Sequence, residues 1–154
     1  MSSKPSPYQV IVDTRERCPY VIDGAVRGTL RSGDYSLAGM DHVVAVERKE
    51  LGDFLGCVGN SRERFDREMD RLAEMRFAAM VIEGNLDTAL GRCGTVSGLH
   101  ANAVIGSIVS WMIKRHVVPV FCSNRLIGQQ VTEKILEKAW EHLAPPGLWI
   151  PETW

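Results

Sequence analysis

The sequence lacks a long hydrophobic run: no window holds the roughly 18 uninterrupted apolar residues that a membrane helix requires. Residues 1–7 contain two prolines and three serines and no apolar segment, so we predict a flexible leader there and no secretory signal. Without a membrane or export segment, we expect no membrane partner, and a protein of the cytoplasm, or of the nucleus in a eukaryotic host.

The features that define several other classes are also missing. The four cysteines are widely spaced, with no CxxC or CxxH pair, which argues against a zinc site. No GxxxxGK(S/T) segment occurs, so we expect no use of ATP, and no histidine stands in a local signature of a Ser-His or Cys-His hydrolase. A balance of 18 basic and 19 acidic residues leaves a net charge of −1. The net charge therefore gives no sign of a nucleic-acid partner, and such a partner must be inferred from local clusters of basic residues.

What is present is a series of short apolar strands alternating with helices. We predict extended segments over 8–13, 29–37, 42–49, 80–83 and 117–122, and helices over 51–58, 61–76, 100–115 and 124–143. This order predicts one α/β domain over 8–143, with a central mixed sheet flanked by helices. Pro119 places the last strand at a sheet edge or at a bulge. We expect the non-helical tail over 144–154, with Trp149 and Trp154, to dock on a partner or on its own domain.

The end of the strand over 42–49 carries the first sign of chemistry. Side chains alternate between the faces of a strand, so Glu47 and Lys49 share one face. Asp34 follows a glycine on the preceding arm, and pairing through a turn at 39–41 would bring it beside Glu47. Two adjacent carboxylates repel each other unless a cation lies between them, and oxygen ligands suit Mg²⁺ or Mn²⁺. With Lys49, the set predicts metal-assisted hydrolysis of a phosphodiester.

The segment over 61–76 predicts a charged amphipathic helix. At about 100° per residue, Arg64, Arg67 and Arg71 fall on one side, where they would grip phosphates beside the metal site. The alternative is that these arginines pair with acidic residues one turn away on the same helix. Asn60 and Glu63 resemble a capping box, which predicts the start of the helix.

Five segments occur in one order along the chain: Val12-Asp-Thr-Arg-Glu16, Gly33-Asp34-Tyr35, Val46-Glu-Arg-Lys49 with Asp53, Arg64-Phe65 and Val81-Ile-Glu-Gly84. Together they resemble the nuclease domain of the XPF-type structure-specific endonucleases, a branch of the PD-(D/E)XK nuclease superfamily, whose pattern is GD, a variable spacer and ERKxxxD. The resemblance runs from about Tyr8 to Leu143. It implies a restriction-endonuclease-like core and Mg²⁺- or Mn²⁺-dependent cutting of DNA, typically near junctions of double and single strands, in repair or recombination.

The resemblance also implies a catalytic centre. Asp34 and Glu47 would bind the metal, together with the backbone carbonyl of Arg48. Lys49 would serve the attacking water or the scissile phosphate. The side chain of Arg48 would contact phosphate or hold the acidic groups in place.

A second set of residues is implied around that centre. Asp13 and Glu16 would sit at the metal or orient its ligands. Arg15 would contact phosphate or hold the acidic groups in place. Asp53 would be a supporting carboxylate, and Arg64 matches the arginine that opens the helix beside the family's site.

Two departures from the family pattern bear on partners. Glu68 stands where a glutamine often follows the helix arginine. We also expect no helix-hairpin-helix module, which helps to grip DNA in the family, after the nuclease segment. A homodimer or a heteromeric partner would then supply extra grip on branched DNA. Either the apolar helix over 100–115 or the helix over 124–143 is a candidate dimer interface, with plain core packing as the alternative.

Two other functions remain open from the sequence. One is a catalytically silent DNA-binding or scaffold subunit of the same fold, and the other is a phosphodiesterase that acts on RNA. The chain keeps the acidic and lysine positions that silent members lose, which favours an active nuclease.

Overall fold

The computed structural model describes residues 6–95 and 98–148, and these residues build one six-stranded sheet with helices on both faces. The strands are β1 (Val10–Asp13), β2 (Val26–Gly28), β3 (Tyr35–Leu37), β4 (Val44–Glu50), β5 (Phe77–Glu83) and β6 (Val117–Cys122). The helices are α1 (Leu51–Val58), α2 (Arg62–Leu72), α3 (Leu86–Arg92), α4 (Ala101–Arg115) and α5 (Arg125–Leu143), with a 3-10 turn at Cys93–Thr95. The predicted class, an α/β domain with a central mixed sheet, is confirmed.

The sheet has the strand order β2-β1-β3-β4-β5-β6. β4, β5 and β6 run parallel, and β3 pairs antiparallel with both β1 and β4. Helices α1 and α2 connect β4 to β5, and α3 and α4 connect β5 to β6, because parallel neighbours need a crossover. β6 lies at the sheet edge, which accommodates Pro119 because proline cannot donate to a ladder.

Each face of the sheet is covered by its own apolar cluster. On one face Ala45 packs with side chains of α1, α2 and α4, including Phe54. On the other face Val44 and Val46 pack with Leu136 of α5. Because side chains alternate along a strand, positions 47 and 49 continue toward α1 and α2, and position 48 continues toward the α5 side.

The structure differs from the sequence prediction in the bounds of several elements. The extended segment over 29–37 forms a strand only at Tyr35–Leu37, and β5 begins at Phe77 rather than at Met80. β2 and α3 were not predicted, since three and seven residues are too short for a clear period. α2 begins at Arg62 and ends at Leu72, so it is shorter than 61–76. The predicted capping box is wrong, because Ser61 rather than Asn60 precedes the helix and its side chain makes no capping hydrogen bond. The tight α1–α2 turn places this helix start, with the N–H of Arg62 donating to the carbonyl of Gly59.

Both ends of the described chain pack on the α5 side of the sheet. The rings of Tyr8 and Trp140 lie 6.0 Å apart, and Leu148 joins the same apolar cluster. Gly39 lies against Leu148, and its φ of 74° favours glycine because side chains are strained in this conformation. Trp149, Trp154 and most of the predicted leader lie outside the described residues, and the docking of the last tail residues stays a prediction.

α5 is the longest of the described helices, with 19 residues, and charged side chains are spread along its length. Within 6–95 and 98–148, no helix is both long and apolar enough to cross a membrane.

The packing of α5 can be tested with one pair of variants. Leu136 is fully buried, so Leu136→Ala should lower the free energy of unfolding by about 2–5 kcal/mol. Leu126, in the first turn of the same helix, is 63% exposed, and Leu126→Ala should change the free energy of unfolding by less than about 0.5 kcal/mol. Chemical denaturation measures both values. Equal losses in the two variants would contradict the docking of α5 through Leu136.

Candidate active site

An open cleft of about 500 Å³ lies at the carboxyl end of β4, between the β1–β2 loop and the α1–α2 turn. It brings together eight of the eleven residues that the sequence singles out: Arg15, Glu16, Asp34, Glu47, Arg48, Lys49, Asp53 and Arg64. The other three, Asp13, Arg67 and Arg71, do not line it.

Asp34 is held in the cleft by hydrogen bonds to two neighbouring strands. Its main-chain N–H donates to the carbonyl of Val46 (2.9 Å), and its carbonyl accepts from the N–H of Asp13 (2.8 Å). The carboxylate oxygen Oδ2 accepts from the main-chain N–H of Arg48 at 2.8 Å. Gly33 has a φ of 77°, and a Cβ there would lie 3.1 Å from the carbonyl oxygen of Val46. The positive φ and the close approach to β4 therefore favour a glycine at position 33, directly before Asp34.

The carboxyl groups of Asp34 and Glu47 lie where charge is costly. Burial raises the pKa of Asp34 to about 8, and the neighbouring charge of Glu47 adds to the shift. Burial also raises the pKa of Glu47, against the opposing effect of the Lys49 ammonium group. The two carboxyls are therefore close enough to repel each other, as the strand pairing predicts, and a bound cation would relieve that repulsion.

Lys49 is enclosed by three side chains. Its Nζ lies 3.0 Å from Glu47 Oε1 and 3.7 Å from Glu68 Oε2, and 5.2 Å from the centroid of the Phe65 ring. Burial alone would lower the pKa of Lys49, but the acidic neighbours, Glu47 foremost, raise it above its ordinary value. Glu68 Oε2 is buried and has no hydrogen-bond partner among the described residues. Lys49 is thus a charged group whose direction is fixed beside the acidic pair.

Arg48 lies on the opposite face of β4 from Glu47 and Lys49. Its side chain is 7% exposed, and its guanidinium donates to both carboxylate oxygens of Glu83, at 2.7 and 3.2 Å. Arg48 Nη1 also lies 3.7 Å from Oε1 of the buried Glu16. Of the two roles predicted for Arg48, this geometry matches the holding of acidic groups, because the guanidinium is engaged inside the protein.

Asp13 is buried beside the cleft, and both of its carboxylate oxygens are hydrogen-bonded. Oδ1 accepts from the main-chain N–H and the Nε of Arg15, and Oδ2 accepts from Arg15 Nη2 and from the N–H of Leu30. Although burial acts in the opposite direction, these hydrogen bonds lower the pKa of Asp13. The carboxylate therefore acts as a clamp that orients Arg15, whose side chain is 68% exposed.

The arginine row predicted on α2 contributes one member to the cleft. Arg64 is exposed and lines the cleft, as does Asp53 in the first turn of α1. Arg67 pairs with Glu63 at 3.2 Å, one turn earlier on the same helix. Arg71 is exposed but lies outside the cleft lining. For Arg67, the alternative of pairing within the helix describes the geometry.

Sequence reasoning assigned no role to two residues at the site, Glu83 and Tyr20, and noted Glu68 only as a departure from the family pattern. Glu83 belongs to one of the family segments, but its partners Arg48 and Tyr20 are 35 and 63 residues away in the sequence. The Tyr20 hydroxyl donates to Glu83 Oε2 at 2.9 Å, and a Cβ added to Gly128 would lie 2.5 Å from that hydroxyl. Contacts over such separations leave no local signal to read.

The residues of the cleft can be compared with the ligands that the metal implied by the sequence would need. Within the described residues, no group of three or more histidine, cysteine or acidic side chains is arranged to hold a metal ion. Asp34 and Glu47 nevertheless supply two crowded carboxylates, and Arg48 adds a main-chain carbonyl next to Glu47. Two carboxylates and a carbonyl, completed by water, form the oxygen donor set that Mg²⁺ accepts. The residues present therefore fit a hard divalent cation.

A mixed sheet that carries an aspartate and a Glu-x-Lys pair into one cleft defines the restriction-endonuclease-like class of α/β proteins. Residues 12–126 match the family model of the ERCC4 domain. The chain therefore belongs to the ERCC4 domain family, and the predicted XPF-type nuclease domain is confirmed.

The same fold occurs in solved structures of XPF from Aeropyrum pernix. One superposes with a TM-score of 0.66 at 19% sequence identity, covering 93% of this chain and 65% of that chain. The structure of that XPF in complex with DNA superposes with a TM-score of 0.69 at 19% identity, covering 90% of this chain and 68% of that chain. The chain thus spans about two thirds of the length of these relatives. No curated protein sequence matches it.

The repulsion in the acidic pair predicts the behaviour of Asp34→Asn. The pKa of Asp34 is about 8 in the folded protein against an ordinary value of 3.8. Folding therefore favours the protonated form, and the stability falls as pH rises between these two values. In EDTA, Asp34→Asn should raise the melting temperature at pH 8 by about 3–10 °C, and by less at pH 5. Adding Mg²⁺ should raise the melting temperature of the wild type and not that of the variant.

Asp53→Asn is the matched control for this measurement, since Asp53 lines the same cleft but is exposed. Its melting temperature should follow the wild type at both pH values. A melting temperature of Asp34→Asn below that of the wild type, at pH 8 in EDTA, would contradict the repulsion between the Asp34 and Glu47 carboxylates.

Proposed function

We propose that this chain is a metal-dependent endonuclease that hydrolyses phosphodiester bonds of DNA at branched or flap-type structures, in repair or recombination. The observation that carries the proposal is the meeting of Asp34, Glu47 and Lys49 in one open cleft, with Arg15 and Arg64 exposed on its walls. Membership of the ERCC4 domain family supports nuclease activity. The solved relative in complex with DNA supports DNA as the substrate class.

Each residue of the centre has a distinct task in this proposal. Asp34, Glu47 and the carbonyl of Arg48 would hold Mg²⁺ or Mn²⁺. Such a metal, when bound, supplies Lewis-acid polarisation of the phosphate and acidifies the attacking water. The ammonium group of Lys49, fixed beside Glu47, stabilises the negative charge that develops on the phosphoryl oxygens. The N–H of Arg48 keeps Asp34 Oδ2 in place, so the carboxylate does not have to reorganise.

The surrounding residues position these groups. Asp13 clamps the guanidinium of Arg15, and Arg15 then meets the DNA backbone from its exposed side. Glu16 and Glu83 hold Arg48 from within the protein. We assign Asp53 the role of a supporting carboxylate at the cleft wall.

A second subunit fits the surface of α4. Four of its apolar side chains are 44–71% exposed: Ile105, Val109, Met112 and Ile113. Ile108 and Trp111 of the same helix pack in the core, so one side of α4 serves the fold and the other is available. We propose that a homodimer or a heteromeric partner covers this side and adds grip on DNA.

The test of the activity is cleavage of labelled flap, fork, duplex and single-stranded DNA with Mg²⁺, Mn²⁺ or EDTA. The wild type should cut only with metal and should prefer substrates with a junction. Glu47→Gln should reduce cleavage by about a hundredfold or more, on the scale of losing one electrostatic group at a reacting centre. Asp34→Ala should do the same while the fold is kept.

Glu63→Gln is the control, because Glu63 is 94% exposed on α2 and pairs only with Arg67 among the described contacts. Its cleavage rate should equal that of the wild type. Unchanged cleavage by Glu47→Gln would overturn the assignment of the centre. A wild type that binds DNA but does not cut it would instead favour the silent subunit, and faster cutting of RNA would favour the RNA phosphodiesterase.

Arg64 is predicted to contact a phosphate at the cleft. Arg64→Ala should weaken DNA binding and reduce the slope of log affinity against log salt by about one, the loss of one phosphate contact. Fluorescence anisotropy over a salt series measures the slope. An Arg64→Ala slope equal to that of the wild type would make Arg64 a surface residue without a part in binding.

A further inference from the structure

The segment that comprises the β1–β2 loop, β2 and the residues up to Arg31 carries mostly positive exposed charge next to the cleft. The segment over 14–31 contains four arginines and two acidic residues, Glu16 and Asp23. Glu16 is buried and faces the guanidinium of Arg48, so Asp23 is the one exposed acid in this segment. The exposed charge of the segment over 14–31 is therefore mainly positive, although the whole chain is close to neutral.

Arg27 is anchored on this loop by main-chain carbonyls. Its Nη2 donates to the carbonyl of Glu16 at 2.8 Å and to that of Thr14 at 3.2 Å. The side chain is exposed, and a guanidinium has five N–H donors, so donors remain for an anion. Anchoring of this kind lowers the entropy that a flexible arginine loses when it binds a phosphate.

Arg125, at the start of α5, is anchored on the next part of the same loop. Its Nη2 donates to the carbonyls of Cys18 (2.9 Å) and Pro19 (2.8 Å). Its guanidinium also lies over the ring of Tyr20, 4.9 Å from the centroid. Its Nη1 also lies 3.8 Å from Oε2 of Glu83, and the side chain is still 46% exposed, so it presents charge to solvent from a fixed position.

Arg17 connects this surface to the cleft. It is exposed and lines the cleft, and its two sequence neighbours supply carbonyls to Arg27 and Arg125. We call Arg17, Arg27 and Arg125 the arginine rim. Arg27 and Arg125 are both anchored on the β1–β2 loop that carries Arg17, and this loop begins at the cleft and leads away from it toward α5.

The opposite wall of the cleft differs in charge. α2 contains four arginines and four acidic residues, and Arg67 pairs with Glu63. Asp66 and Asp70 of the same helix pair with Arg115 of α4. Positive and negative charges alternate there, so beyond Arg64 this helix offers a polyanion little net attraction.

We propose that the arginine rim is a second phosphate-binding surface, which takes the backbone of the double-stranded part of a branched DNA while the scissile strand enters the cleft. The inference rests on the proposed function. A row of arginines that continues from an open cleft, two of them anchored on main-chain carbonyls, fits a repeating phosphodiester better than a single small anion, because the charges are spread along a surface. Arginine also suits the site because its planar fork binds phosphate in two-point contacts.

The experiment compares two pairs of arginines in the full chain. Fluorescence anisotropy is measured with a labelled flap-bearing duplex of about twenty base pairs, in EDTA and in a salt series from about 50 to 200 mM. The double variant Arg17→Ala/Arg27→Ala should bind about tenfold more weakly or worse and should lose about two from the salt slope. The matched double variant Arg67→Ala/Arg71→Ala, on α2, should keep the wild-type slope and an affinity within about twofold.

A double lysine variant distinguishes a loss of phosphate binding from a loss of loop structure. Arg17→Lys/Arg27→Lys retains both charges but not the two-point anchoring of Arg27 on its carbonyls. If the rim contacts phosphate, the lysine pair keeps most of the salt slope that the alanine pair loses. If the arginines only support the loop, lysine and alanine pairs are equally impaired in thermal stability and alike in salt slope, which overturns the proposal.

The remaining outcomes are also decisive. A wild-type slope in the alanine pair, or a larger loss in the α2 pair, overturns the rim as the DNA surface. These binding results do not depend on cleavage. Metal-dependent cutting by the wild type, lost in Glu47→Gln, would keep the proposed function even if the rim fails. A wild type that binds no DNA in the salt series would overturn the rim and leave the cleavage assay to judge the nuclease.

Discussion

One hydrogen bond, from the main-chain N–H of Arg48 to Oδ2 of Asp34, is the constraint on which the rest of the site depends. The ladder between β3 and β4 is short, with Tyr35 opposite Val46, and it continues through the N–H of Asp34 to the carbonyl of Val46. At the next N–H of β4, a carboxylate oxygen takes the place of a strand carbonyl. A carboxyl group is thereby built into the edge of the ladder, where its position follows from strand pairing and not from a flexible side chain.

Because side chains alternate along a strand, the charged side chains at the end of β4 lie in two different environments, one on each face of the sheet. Glu47 and Lys49 face α1 and α2, where Phe65 and Glu68 complete the surroundings of the ammonium group. Arg48 faces the other side, where it is neutralised by Glu83. The acidic pair keeps an unfavourable electrostatic energy that the folded protein tolerates because Arg48 and its partners fix the backbone. Stability given up at a site in this way is typical of functional centres.

Much of this arrangement could be predicted from the sequence, and physical reasons explain which parts could be predicted and which could not. The proximity of Asp34 and Glu47 could be predicted because a period of two and a short connection fix a hairpin from local residues alone. β2 could not be predicted, because three residues are too few to show an alternation of apolar and polar side chains. The Glu83–Tyr20 contact could not be predicted either, because only the folded structure brings together residues 63 positions apart. The helix start at α2 failed because a tight turn, and not Asn60, places it.

The anchoring of the β1–β2 loop on α5 has a consequence for how the domain is made. Arg125 and Gln129 bond to carbonyls of Cys18, Pro19 and Val21, more than a hundred residues earlier in the chain. Contacts of such sequence separation form late in folding because a long loop must close first. During synthesis, the loop that borders the cleft gains these anchors only after the ribosome has released α5. The nascent chain therefore passes through a stage in which the acidic strands have been synthesised but the anchors of the β1–β2 loop have not.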